Sequence, residues 1–279
     1  MEFMNSSVYR NGTRLEALLS AAGVLLGACT VKEDRVPCPW YLHVSLAEEQ
    51  ELPDSLDVVD LLGWDEGEMF RAGVETYKFD PYWVRGVHKG TFLLSAYRGV
   101  EKVKDAGHFV TITPGEQSDS LYAYHTEVDA TGDMAYAEVL FHKQFCTVHL
   151  DILRKASEMR NFRFLVEGNT CGFDLLNFEA VSGSFRCEPV PEQGARIVDF
   201  RIPRQVDDSM TVTLWYRPED GSYQNLGTFP LGKYIAKTGY SWKAEDLQDV
   251  YVVIDLVLGQ ITISVDGWEA GWTFSYYEQ

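Results

Sequence analysis

The chain is dominated by segments in which apolar and polar residues alternate. In Phe145–Ile152 every second residue from Cys146 onward is apolar, and the residues between them are polar. A period of two places the apolar residues on one face of an extended strand and the polar residues on the other. This segment is therefore predicted to be a half-buried β-strand, with His149 on the face opposite Cys146.

The C-terminal region repeats the alternation. Apolar residues occupy every second position of Val250–Leu256 and again of Ile261–Val265, with Gly259-Gln260 between the two runs. Asp266-Gly267 is a residue pair typical of tight turns. The region is therefore predicted to form consecutive hairpins that end in Trp268–Tyr277.

Six further segments are predicted to be strands. They are separated by Gly, Pro, Asp and Asn, which are the residues of turns, and they lack the intervening helices of a parallel α/β fold. Many short strands with such turns are typical of antiparallel β-sandwiches, so the predicted fold class is all-β. The six segments are Tyr41–Leu46, Thr91–Tyr97, Phe109–Thr113, Leu121–Tyr124, Phe162–Glu167 and Thr211–Tyr216.

The length of 279 residues suits about two domains of ordinary size. The small and polar stretch Val128–Asp133 is the best internal boundary, and it predicts an N-terminal β-sandwich over residues 38–130 and a C-terminal one over 131–279. Tyr41–Leu46 resembles Thr147–Ile152 in its order of apolar residues around a histidine. This likeness predicts two related sandwiches in tandem.

The N-terminus has a different character. Arg10 and Arg14 precede the apolar stretch Ala17–Gly27, which is too short to span a bilayer as a helix. A basic start, a short apolar core and a small-residue exit are typical of a secretory signal. The alternative is the buried N-terminal helix of a soluble protein.

The end of this stretch predicts lipidation. Leu26, Gly27, Ala28 and Cys29 have the form of a bacterial lipobox, in which small residues admit the peptidase and the cysteine thiol carries diacylglycerol. Residues 1–28 are then a lipoprotein signal peptide, and residues 29–37 are a tether. No cofactor is expected beyond the covalent diacylglycerol and acyl chain on Cys29. Several acyl chains hold a protein stably on a membrane, whereas one chain does so only marginally.

Lys32, Glu33 and Asp34 follow the lipobox closely. A lysine and two acids at this distance resemble the signal that sends some Gram-negative lipoproteins to the outer face of the outer membrane. The alternative is a solvated charge cluster on the tether. The predicted location is the cell exterior, with the protein attached by lipid to the outer membrane.

The charge balance excludes one class of partner. The chain has 24 Lys and Arg against 42 Asp and Glu, for a formal net charge of -18. Such a field repels phosphate groups, and the sequence has no Lys/Arg run to offset it. Nucleic acid is therefore not an expected partner.

Candidate catalytic groups are scarce. His142, Cys146 and His149 have the spacing of a metal site on a helix, but the predicted strand points His149 away from Cys146. Two acidic groups have the composition of paired glycosidase carboxylates, but solvated loops are the better explanation in so acidic a chain. The groups are Glu48, Glu49 and Glu51, and Asp65, Glu66 and Glu68. The sequence lacks a nucleophile elbow, a phosphate loop and a dinucleotide fingerprint. It gives no positive reason to expect an enzyme.

Four cysteines remain if Cys29 is acylated. In an oxidising compartment Cys38, Cys146, Cys171 and Cys187 allow three pairings, and a hairpin that joins Cys171 to Cys187 is the favoured one. Cys146 can equally be a small buried thiol. The seven Trp and fifteen Tyr suit either a sugar-binding platform or the filling of thin sheet cores.

Several stretches in a fixed order resemble the minor fimbrial anchor lipoproteins of type V pili. They cover nearly all of the chain after the signal. The stretches are Cys29–Arg35, Cys38–Leu42, Val87–Gly90, Leu140–Phe145, Gly172–Leu175 and Ile263–Trp268.

The resemblance implies two transthyretin-like β-sandwich domains, a lipid on Cys29, and a role in anchoring or terminating a fimbria. It also implies pilin subunits as partners, bound when a strand of one subunit completes a sheet of the next. The alternative functions are a surface lipoprotein that binds carbohydrate through exposed aromatic residues, and a hydrolase. Which strand donates and which edge accepts stays open at this stage.

Overall fold

A computed structural model describes residues 40–47, 57–100, 107–219, 221–267 and 271–275. These residues form a protein made almost wholly of strands, with one α-helix, α1 (Leu231–Lys237), and short 3-10 helices at Thr76–Phe79 and Ala156–Asn161. The strands are β1 (Trp40–Leu46), β2 (Val58–Asp65), β3 (Gly67–Glu75), β4 (Trp83–Val87), β5 (Gly90–Arg98), β6 (Phe109–Thr111), β7 (Tyr122–Ala130), β8 (Met134–Val139), β9 (His142–Lys143), β10 (Phe145–Ile152), β11 (Phe162–Asp174), β12 (Glu179–Cys187), β13 (Ile197–Pro203), β14 (Thr211–Tyr216), β15 (Gln224–Phe229), β16 (Val250–Asp255), β17 (Gln260–Val265) and β18 (Trp272–Ser275).

The predicted all-β class is confirmed, and β10 and β14 have the predicted limits. Strands β7 and β11 continue well past the predicted ends. Sequence alternation did not single out β12, because its central residues are exposed on both faces. No helix among the described residues is long and apolar enough to cross a bilayer.

The first sandwich packs a three-stranded sheet against a five-stranded one. The strand orders are β4-β1-β8 and β3-β2-β5-β7-β9. Alternate residues of β1, such as Leu42 and Val44, point inward and share one buried cluster with Leu61 of β2 and Leu94 of β5. The alternation of apolar residues in each strand thus becomes one core between the two sheets.

The second sandwich has the strand orders β13-β10-β16-β17-β18 and β12-β11-β14-β15. Its core includes Val148 and Leu150 of β10, Phe164 of β11 and Leu214 of β14. Helix α1 contributes Ile235 to the same core. The predicted face assignment in Phe145–Ile152 is confirmed, since Cys146 is buried in this core and His149 lies on the outer face.

The two sandwiches repeat one topology. In the first, β1 has the antiparallel neighbour β4 on one side and the parallel neighbour β8 on the other. In the second, β10 lies between antiparallel β13 and parallel β16 in the same way. The strand order β3-β2-β5-β7 likewise corresponds to β12-β11-β14-β15. The sheets are therefore antiparallel except for one parallel pair in each sandwich.

The two sandwiches pack together along the end of β11. Strand β6 pairs with Gly172–Asp174 of β11, although it lies between two strands of the first sandwich in the sequence. The Ser95 hydroxyl of β5 donates to the carbonyl of Leu175, with 2.7 Å between the oxygens. A third apolar cluster, which includes Leu62 and Phe173, fills this junction.

The first sandwich extends beyond residue 130, where the sequence boundary was drawn. Strand β8 pairs with β1, and β9 pairs with β7. The small polar stretch at 128–133 therefore lies within the first sandwich, where it ends β7 of one sheet and leads to β8 of the other. The chain passes to the second sandwich at Gln144.

Candidate functional site

The histidines and cysteine with metal-like spacing are held apart. The ring nitrogens of His142 lie 3.0 Å from Asp246 Oδ2 and 3.1 Å from Glu245 Oε1. Cys146 is in the core, where burial raises the pKa of its thiol to about 12. Within the described ranges no three His, Cys, Asp or Glu side chains are placed to bind a metal ion.

The acidic group at 65–68 lies where β2 turns into β3. Glu66 lies in the turn between β2 and β3 with a φ of 45°, and Glu68 Oε2 lies 3.1 Å from Arg71 Nη2. The residues form an exposed hairpin with an ion pair, as the solvated-loop interpretation predicts. Residues 48–51 lie outside the described part of the chain.

The predicted pairing of Cys171 with Cys187 is wrong. Both are free thiols in the structure, as is Cys146. Strand pairing places Cys187 opposite Val166, and Cys171 is five positions further along the same strand. A disulfide needs Cα atoms within about 7 Å, and this separation along β11 is far greater. Sequence spacing suggested a hairpin correctly but did not give its register.

The predicted lipidation site lies outside the described residues. This holds for Cys29, for the lipobox residues Leu26, Gly27 and Ala28, and for the surface-export residues Lys32, Glu33 and Asp34. Their roles therefore stay predictions.

The edge of β8 is the clearest difference between the two sandwiches. In the second sandwich, β16 pairs with β10 on one side and with β17 on the other, and β18 follows. In the first sandwich, β8 pairs with β1 but has no second neighbour among the described residues. Such an edge presents backbone N–H and C=O groups that an added strand can bind.

The side chains along β8 suit an added strand. Its inward residues Ala135 and Ala137 are buried at the positions that Val250 and Val252 occupy in β16. The alanines have smaller side chains than the valines at the equivalent positions of β16. In the second sandwich the core beside β16 is covered by the inward isoleucines of β17, Ile261 and Ile263.

The outer face of the sheet β4-β1-β8 carries an exposed aromatic group, which we call the tyrosine face. Three rings are in contact at its centre: the His43 centroid lies 5.0 Å from that of Tyr136 and 5.7 Å from that of Tyr82. The Tyr136 hydroxyl lies 3.3 Å from the sulfur of Met134. Its exposed aromatic and apolar side chains, each between 45% and 61% accessible, are Tyr41, Tyr82, Val84, Met134 and Tyr136. Glu138, at the end of β8, is exposed on the same face.

Sequence reasoning did not identify the tyrosine face. The period of two in Tyr41–Leu46 places Tyr41 and His43 on one face, which is a usable local signal. Tyr82 and Tyr136 come from distant segments, and only strand pairing brings them beside His43.

Comparison with known proteins gives the fold. No protein-family model matches the sequence, and no curated protein sequence matches it. The chain is similar in structure to the fimbrial anchor protein Mfa2 from Porphyromonas gingivalis, with a TM-score of 0.55 at 10% identity over 83% of this chain and 98% of that one.

Two further solved structures agree. One is a proposed polysaccharide-binding protein from Bacteroides thetaiotaomicron, with a TM-score of 0.56 and 13% identity over 87% of this chain and all 100% of that one. The other is a proposed adhesin from Bacteroides ovatus, with a TM-score of 0.55 and 11% identity over 86% of this chain and 96% of that one. The chain therefore has the two-sandwich fold of these fimbrial anchor and adhesin structures.

Proposed function

We propose that this protein is an outer-membrane lipoprotein that anchors or terminates a fimbria and holds a pilin subunit by strand addition at β8. The observation that carries the proposal is that β8 has no second neighbour in the part of the chain that the structure describes, at the position where the second sandwich covers β16 with β17. The shared fold with a fimbrial anchor protein supports the same role.

The second sandwich is a template for the bound state. Strand β17 runs antiparallel to β16 and buries Ile261 and Ile263. A pilin strand that pairs with β8 in this way satisfies its backbone groups and places alternate apolar side chains beside Ala135 and Ala137. Each backbone hydrogen bond contributes about 0.5–1.5 kcal/mol, so several in a row hold the subunit together with the buried side chains.

Lipid on Cys29 supplies the other end of the attachment. Each buried CH2 contributes about 0.8 kcal/mol, and two or more acyl chains hold a protein stably in the outer leaflet. A pull on the fimbria then passes from the pilin strand through the sheet of β8 to the lipid.

The lipid link is tested by Cys29→Ala. We expect the variant protein and whole fimbriae in the medium instead of on the cells. Cys171→Ala is the matched control, because this cysteine is free and half-exposed in the second sandwich, and it should leave the fimbriae attached. Fimbriae retained at normal length by the Cys29 variant count against the anchor role.

Strand addition is tested by placing the photo-crosslinking residue p-benzoylphenylalanine at Glu138, which is exposed on β8. Illumination of cells should yield a covalent adduct with the fimbrial subunit, identified by mass spectrometry. The same residue at Val257, exposed in the turn between β16 and β17, should give no adduct. Equal adducts at both positions, or none, contradict pairing at β8.

Carbohydrate binding is a second candidate, and a cleft in the second sandwich favours it. Phe178, Tyr240 and Trp242 line the cleft together with charged side chains. Phe178 and Tyr240 are partly exposed, whereas Trp242 belongs to the core of the second sandwich, and its Nε1 is buried without a hydrogen-bond partner among the described residues. A cleft with aromatic walls and a few convergent polar groups is the usual form of a small-ligand site.

Arg204, one of two cations among the described residues that line the cleft, makes its hydrogen bonds to neutral oxygens. Arg204 donates to Gln144 Oε1 at 2.8 Å and to the carbonyl of Glu245 at 3.1 Å, and burial lowers the pKa of Arg204. If the cleft binds sugar, a glycan array should give a specific signal that Phe178→Leu reduces by removing a partly exposed aromatic ring from the cleft wall. Trp272→Leu, at an exposed tryptophan of β18, is the control and should retain the signal.

A further inference from the structure

We propose that the tyrosine face is a second docking surface for the pilin subunit whose strand pairs with β8. The proposal rests on the proposed function and adds to it a partner surface and its chemistry. The occupant is the body of that subunit, which contacts the face through uncharged and apolar side chains next to the donated strand.

The fold itself does not require apolar residues at this face. His43 lies opposite Tyr136 in one parallel strand pair, and His149 lies opposite Tyr251 in the other, so the two pairs align the two sandwiches residue by residue. At three positions of the tyrosine face the alignment gives a more polar residue in the second sandwich. Thr147 corresponds to Tyr41, Asp199 to Val84, and Asp249 to Met134.

The polar equivalents make internal contacts of their own. His149 Nδ1 lies 2.8 Å from Asp199 Oδ1, and Asp249 Oδ1 accepts from the backbone N–H of Thr147 at 2.7 Å. The same backbone positions thus fold with polar side chains in one sandwich and expose apolar ones in the other. An exposed apolar patch that the fold does not need marks a contact surface.

The composition of the face suits a protein partner. Tyrosine and methionine are enriched in the cores of protein interfaces, where charged residues are depleted. Tyr41, Tyr82, Val84, Met134 and Tyr136 are all uncharged on a chain of net charge -18, and the exposed carboxylate of Glu138 lies at the end of β8. The contacts of His43 with Tyr82 and Tyr136 also hold these rings in place before binding, which lowers the conformational entropy lost on association.

Continuity with β8 identifies the occupant. Met134 and Tyr136 are residues of β8 itself, and their side chains point to the outer face. Facing side chains on paired strands lie about 4.5–5.5 Å apart at Cβ, so a strand added to β8 brings its own outward residues against them. The subunit that donates the strand is therefore the one that reaches the face.

The experiment replaces the face with the residues of the second sandwich. The full-length triple variant Tyr41→Thr, Val84→Asp and Met134→Asp is compared with a double variant, Val190→Asp and Val257→Asp, at valines that are 81% and 75% exposed elsewhere. The probe is the shaft pilin purified from sheared fimbriae. We expect the triple variant to bind it at least tenfold more weakly and the double variant to bind it as wild type does.

The single variant Val84→Asp keeps the test decisive if the triple variant folds poorly, which circular dichroism and urea unfolding reveal. We expect it to weaken pilin binding severalfold. If a folded variant of the tyrosine face binds the pilin with the wild-type dissociation constant, the docking proposal is overturned. It is also overturned if the variant loses a glycan-array signal but keeps its pilin binding. Failure of the anchor role is recognised separately, by the absence of any pilin adduct at Glu138 in the otherwise unsubstituted protein.

Discussion

His149 lies against Tyr251, with ring centroids 4.4 Å apart and ring planes at 20°. The pair joins β10 to its parallel neighbour β16, and His43 with Tyr136 makes the same contact between β1 and β8. One difference separates the two pairs: a carboxylate, Asp199, is beside His149, whereas Val84 is opposite His43. The stacked histidine and tyrosine are therefore common to both sandwiches, whereas the residue beside the histidine differs between them.

The first prediction concerns Val84→Asp. The equivalent position holds Asp199 in the second sandwich, and an exposed ion pair contributes at most about 1 kcal/mol. The free energy of unfolding should therefore stay within about 0.5 kcal/mol of wild type in urea titrations. Leu42→Ala, in the neighbouring inward position of β1, is the contrast and should cost about 2–5 kcal/mol. A large decrease in the free energy of unfolding of the Val84 variant would contradict the structural equivalence of Val84 and Asp199.

The second prediction concerns the junction between the sandwiches. A Cβ atom on Gly172 comes 2.3 Å from the backbone oxygen of Val110 in β6, which is too close for any real contact. Gly172→Ala should therefore separate β6 from β11 and destabilise the protein by about 1–3 kcal/mol in urea unfolding. Gly67→Ala is the control, because its nearest neighbour lies at 4.0 Å, and it should change stability by less than about 0.5 kcal/mol.

The third prediction concerns thiol reactivity. Burial raises the pKa of Cys146 and of Cys187 to about 12, so neither forms the reactive thiolate at pH 8. Cys171 is half-exposed. Iodoacetamide at pH 8 should modify Cys171 and leave Cys146 and Cys187 intact in the native protein, as peptide mass spectrometry can measure. All three should react in concentrated urea. Labelling of Cys187 in the native protein contradicts its burial in the core of the second sandwich.

The fourth prediction is a pH dependence at the junction. His125 of β7 stacks on Phe178 with centroids 5.7 Å apart, and burial lowers its pKa although Asp174 acts in the opposite direction. A lowered pKa in the folded state means that the fold favours the neutral ring. Stability from this group is present above its ordinary pKa of 6.5 and is lost as the pH falls through the lower folded value.

Urea unfolding at pH 8, 7, 6 and 5 tests this. The free energy of unfolding should fall toward pH 5, and His125→Gln should reduce the slope. His88→Gln, at an exposed histidine, is the control and should keep the wild-type slope. An unchanged slope in the His125 variant shows that other groups carry the acid sensitivity.

Local pattern in the sequence was sufficient for much of the fold. The alternation in Phe145–Ile152 predicted a strand of the observed length with Cys146 inward and His149 outward, because the side-chain period of a strand is a property of the backbone alone. The likeness of Tyr41–Leu46 to Thr147–Ile152 marked the equivalent strands β1 and β10 of the two sandwiches.

The sequence by itself determined the all-β class, the repeat and the direction in which the best strands face, since all of these depend on residues close together in the chain. Tertiary structure alone decided that Cys171 and Cys187 stay apart and that Tyr82 and Tyr136 meet at His43. It also decided that β8, in the described part of the chain, lacks the second neighbour that β16 has. Each of these depends on the pairing of strands that are far apart in sequence, and a register shift of one residue reverses every side chain. No local pattern specifies that register.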